Sequence, residues 1–75
     1  MSIYVVSCHF WYDVYRSFIT RNHCAYKNIN DAIDYLARMT YLDDREEKIN
    51  RLIEDGHLDI RDEDSVWSID KITLK

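Results

Sequence analysis

A chain of 75 residues with 47 % hydrophobic and 13 % aromatic content is expected to be one folded domain, spanning 1–75, not a disordered tail. Its formal charge of −4 is the wrong sign for a protein that grips nucleic acid by its phosphates. The uncharged N-terminal run is too short and too aromatic to span a membrane, and it lacks the basic start and cleavage site of a signal peptide. A cytoplasmic location is therefore expected.

So small a chain buries only about 60 % of the surface its unfolded form exposes, which leaves a thin stability margin. There is one glycine and no proline, so turns fall to Asn, Asp and Ser. The two cysteines, Cys8 and Cys24, are too few for a secreted disulfide scaffold. Reduced, partly buried thiols are the favoured expectation.

The segment Ile3–Tyr12 is rich in β-branched and aromatic residues and predicts a strand. With period 2, Tyr4, Val6, Cys8, Phe10 and Tyr12 make an apolar face suited to a helical cover. Ile3, Val5, Ser7, His9 and Trp11 make a mixed face. Asp13 offers a turn, and Val14–Thr20 predicts a second strand, antiparallel to the first. Arg21–His23 is expected to turn again, and Cys24–Lys27 to form a short strand or a lead into a helix.

Ile29, Ala32, Ile33, Leu36 and Ala37 follow the i, i+3, i+4, i+7, i+8 pattern of an amphipathic helix. Asn28 or Asn30 can cap it. Met39–Leu42 extends this helix or links it to the next. A second helix starts at Asp43 or Asp44, where Asp44 and Glu47 have capping-box spacing. Its apolar stripe is narrow, comprising Ile49, Leu52 and Ile53, and Gly56 ends it as a left-handed residue. His57–Ile60 alternates, Arg61–Ser65 is a charged turn, and Val66–Leu74 is a final strand. Trp67 and Ile69 share one face of that strand while Ile72 and Leu74 share the other, so a bulge near Asp70–Lys71 is expected. The fold class is α+β: an antiparallel sheet of three to four strands with two helices on one face, in the order β-β-(β)-α-α-(β)-β.

Charge is unevenly placed. Residues 1–42 hold four bases against three acids, a balance of +1, whereas residues 43–75 hold eleven acids against six bases, a balance of −5. Acids at intervals along a helix can imitate a phosphate backbone and occupy a basic groove on a nucleic-acid enzyme. The bland alternative is a solvated, solubilising face. The aromatics are also too numerous for a core of this size, and surface Trp and Tyr are enriched at binding hot spots. The bland alternative there is half-buried sheet residues.

Catalytic chemistry has little support. Cys8–His9 and His23–Cys24 supply zinc-ligand types, with His57 as a fifth, but neighbours on a strand point to opposite faces and cannot close on one ion. No local signature marks a Cys–His nucleophile, and one glycine leaves no phosphate-cradling loop. No catalytic residue, metal or cofactor is expected.

The opening Ile3–Val6, the segment Tyr26–Leu36 and the closing Trp67–Leu74 together resemble short bacteriophage accessory proteins, in which a strand pair leads into a helix and the chain ends in a strand. The resemblance implies a non-enzymatic early protein that binds and inhibits or redirects a host enzyme, including anti-restriction and anti-CRISPR roles. No functional residue carries over from it. The expected function is thus binding of a host protein in the host cytoplasm, with no membrane and no direct nucleic-acid contact. Trp11, Tyr12 and Tyr15 would anchor the partner, and Glu46, Glu47, Glu54, Asp55, Asp62, Glu63 and Asp64 would steer it. Two alternatives are a nucleic-acid module using Arg16, Arg21 and Lys27 with the Tyr/Trp surface, and a homodimer paired through strand edges.

Overall fold

Pairing on both sides makes β1 (Ser2–Tyr12) the organising strand. The computed structural model describes residues 1–12, 17–62 and 65–74, with the backbone alone at positions 11, 12, 17, 18, 22 and 23. After β1 come β2 (Ser17–Tyr26), α1 (Ile29–Met39), α2 (Arg45–Asp55), β3 (His57–Arg61) and β4 (Ser65–Thr73). Among the described residues the four strands form one antiparallel sheet in the order β2-β1-β4-β3.

Both helices lie on one face. Val6 and Ile69 pair across β1 and β4, Leu58 pairs with Ile69 from β3, and all three are at most 1 % exposed. Ala32, Ile33 and Leu36 of α1 and Leu52 of α2 cover them. Tyr4, Tyr26, Trp67 and Ile60 pack around this cluster. Full burial of Ile33 or Leu36 contributes about 1.5–3 kcal/mol. The apolar face expected for β1 is the one the helices cover.

β2 differs from its expected form. Arg21–His23 does not turn; the strand runs through it. The β1–β2 register moves from Val6–Cys24 to Ser7–Asn22, so His23 is an extra residue in a bulge. A bulge absorbs the break in alternation without ending the ladder. The connection at residues 13–16 and the start of the expected second strand at Val14 lie outside the described residues.

β4 also differs. Its register with β1 is unbroken from Ser2–Thr73 to Phe10–Ser65, so the bulge expected near Asp70–Lys71 is absent. Ile72 instead lies on the helix-free face, paired with Ile3, and stays 43 % exposed. Partial shelter in a cross-strand pair costs less than breaking a ladder.

The helix ends follow their capping chemistry. The Asn30 N–H donates to Asn28 Oδ1 at 2.8 Å, and the Thr40 N–H donates to Leu36 O at 3.0 Å. At α2 the Glu47 N–H donates to Asp44 Oδ1 at 3.2 Å. Asp44 holds φ 43°, a left-handed conformation that Asp tolerates better than most residues. Gly56 has φ 71° and donates its N–H to Leu52 O at 2.9 Å. A Cβ there would meet no atom within 4 Å, so it is the backbone angle that selects glycine.

α2 is docked by one seam. Leu52 is its buried residue and Ile49 is half-buried, but Ile53, expected in the same stripe, is 57 % exposed. Leu52→Ala should therefore cost about 2–5 kcal/mol and release α2 before the sheet opens. Urea unfolding with amide exchange by NMR checks this. A loss of protection spread evenly over α1 and α2 would contradict the single-seam account.

Candidate interaction surface

The acids of α2 gather along one side of the helix. At 100° per residue Glu46, Asn50 and Glu54 fall on one flank, with Glu47, Arg51 and Asp55 beside them. A shallow depression of about 480 Å³ runs along this flank, and every residue lining it belongs to α2 or its cap. It has no second wall, which suits a surface contact better than enclosure of a small molecule.

Ion pairing divides the charges unequally. Arg45 pairs with Asp34 of α1 at 2.5 Å. Arg51 pairs with Glu47 at 2.7 Å, and Lys48 reaches Glu47 at 3.4 Å and Asp43 at 3.7 Å. All three bases of the helix are thus engaged. Glu46, Glu54 and Asp55 are exposed and form no ion pair among the described residues. The last turn carries no base to offset the negative end of the helix dipole, so unpaired acid gathers there. The exposed Ile53 borders the flank beside Glu46.

The other expected contact residues are more scattered. Asp62 is exposed at the β3–β4 hairpin, where its N–H donates to Ser65 O at 2.8 Å. Glu63 and Asp64 lie outside the described residues, as do Tyr15 and Arg16 and the side chains of Trp11 and Tyr12. Arg21 and Lys27 of the nucleic-acid alternative are exposed. Tyr41, one of the aromatics too numerous for so small a core, is 84 % exposed in the link between the helices. Its place directly after the Thr40 cap was the available signal, because a residue leaving a helix loses that helix's cover.

The centre of the helix-free face carries polar side chains. Ser7 and Ser68 pair across β1 and β4 and are 5 % and 1 % exposed. His9 spans three strands, its ring nitrogens lying 2.8 Å from Thr20 Oγ1 and 3.0 Å from Ser68 Oγ. Hydroxyls donate or accept as needed, so a ring with one N–H satisfies both. His57 differs: Nε2 donates to Asp59 Oδ1 at 2.8 Å, and Nδ1 donates to Asp70. These two hydrogen bonds, Asp70 first, hold the His57 pKa above its ordinary value.

Cys8 and His9 point to opposite faces, as strand geometry requires, so they do not meet at one site. Both cysteines are free thiols. Burial pushes the Cys8 thiol up, partly offset by a hydrogen bond with Ser65. Around half-buried Cys24, Tyr26 and Tyr35 lie 6.0 Å apart, and the Arg38 guanidinium sits 5.9 Å over the Tyr35 ring. A hydrogen bond with Cys24 is the main cause raising the Tyr26 pKa.

Ellman titration of the folded chain should accordingly show two phases, a faster one from Cys24 and a slow one from Cys8 that merges with it on unfolding. Cys8→Ala should remove the slow phase alone. Equal rates in the folded chain would mean that β1 is open to solvent at its centre.

The chain matches no known family model, no curated protein and no solved structure.

Proposed function

We propose that this chain is a non-enzymatic binding protein that presents the acidic flank of α2 to a basic surface on a protein partner, and so inhibits or modulates it. The partner we favour is a nucleic-acid-processing or defence enzyme of a host cell, whose groove for phosphates the flank would fill. The supporting observation is the inequality of pairing: every base of α2 is engaged, while Glu46, Glu54 and Asp55 stand exposed and without an ion-pair partner among the described residues. The axial rise from Glu46 to Glu54 is about 12 Å, so the unpaired acids bracket a span of roughly two turns. Charges so placed steer association and fix orientation. Ile53 would add apolar contact beside them.

A tagged chain used as bait in its native cells should capture one stoichiometric partner, released by moderate salt. The triple reversal E46K/E54K/D55K should abolish capture while leaving the circular dichroism spectrum unchanged, because none of the three is buried or ion-paired in the described fold. Equal capture by the reversed chain would remove α2 from the contact.

A second reading, homodimerisation, is favoured by the edge strand β2. It runs for ten residues with one charge, Arg21, and no proline or lysine to block another strand. The opposite edge, β3, has five residues and carries His57, Asp59 and Arg61. Sedimentation should give twice the 9.1 kDa chain mass, reverting to 9.1 kDa in Thr20→Lys. A 9.1 kDa species at every soluble concentration would end this reading.

A further inference from the structure

Gly56 and His57 join α2 to the sheet, and three bonds meet there. The Gly56 N–H closes the helix on Leu52 O at 2.9 Å, and Gly56 O accepts the Lys71 N–H at 2.8 Å. The third is the His57 ring, held between Asp59 of its own strand and Asp70 of β4. Carboxylates only accept hydrogen bonds, and a neutral imidazole has one N–H. Both contacts can be made only by the imidazolium. This sets His57 apart from His9, whose partners are hydroxyls.

We propose that His57 is a proton-operated latch: as an imidazolium it bridges Asp59 and Asp70 and fastens the start of the edge strand β3 to β4, and on losing a proton it lets that start loosen. Without the proton, one carboxylate faces a ring lone pair, and two carboxylates share the site with no cation between them. The charged groups around it give no substitute. On the same face β3 offers Asp59 and, four residues on from His57, Arg61. β4 offers Asp70, while Lys71 points to the helix side. α2 packs on the other face, and its last turn holds Glu54 and Asp55 and no base.

The loosened stretch would be the junction Gly56–His57 and the first ladder bonds of β3, because β3 is an edge strand of five residues paired, among the described residues, only with β4. Two carboxylate hydrogen bonds raise the folded pKa of His57 above its unfolded value of 6.5. A raised pKa stabilises fully below the unfolded value and is lost as pH climbs through the folded one. The latch therefore holds below the folded pKa of His57, while both carboxylates stay ionised, and opens as pH rises through it. It is a property of the free chain, so its failure and failure of the partner contact are separable.

NMR titration of the His57 ring, with amide exchange corrected for intrinsic rates, tests it on the isolated protein. The ring should titrate above 6.5. Protection at Gly56–Leu58 should fall as pH passes that midpoint, in total about tenfold for each unit between the two pKa values. In Asp70→Asn the midpoint should drop and the protection step shrink. In His57→Gln protection should be independent of pH over the same range, with the sheet intact by circular dichroism. A wild-type ring titrating at or below 6.5, or protection flat through its titration, would overturn the latch.

Discussion

Alternation along β1 divides the molecule. One set of its side chains, with Val6 at the centre, must be covered, and a chain of this length has helices enough for one face only. α1 brings Ala32, Ile33 and Leu36 to that face, and α2 brings little more than Leu52. Everything else about the surface follows from this allocation. The second face of the sheet has to be finished by its own side chains, and α2, held by so narrow a seam, is free to turn most of its circumference outward.

The finishing of the second face is economical. Small serines occupy its centre; His9 bonds to hydroxyls on Thr20 and Ser68, and His57 to the carboxylates of Asp59 and Asp70. Among the described residues no buried side-chain nitrogen or oxygen lacks a hydrogen-bond partner, in keeping with the rule that buried polar atoms find partners. No helix in the described residues is long and apolar enough to cross a membrane.

Much of the architecture was legible in the residues because local signals agreed with one another. α1 carried periodicity, a cap and favourable end charges at once, and its limits fell where those signals placed them. The Asp44 cap and the Gly56 stop were equally plain, since each has a single backbone requirement behind it. What escaped was decided by pairing between strands. Nothing at Arg21–His23 distinguishes a turn from a bulge until β1 is alongside, and nothing in Ile72 says that its partner will be Ile3. The acidic composition of α2 and its Glu47–Arg51 pair could be read from spacing, but the Arg45–Asp34 bridge could not, because it depends on how two helices lie. The His57 network was likewise hidden. Its residues lie apart at positions 57, 59 and 70, and only strand register makes them neighbours.

The extra residue in β2 bears on how this chain can change in length. Val6 already faces Cys24 and Ser7 already faces Asn22, so removing His23 would leave every existing pair in place and every side chain on its present face. Loss of a residue far from the bulge would turn the stretch between the two inside out. A single position thus serves as slack in an otherwise inelastic ladder, and among natural or engineered variants it is where a shortened β2 would be tolerated.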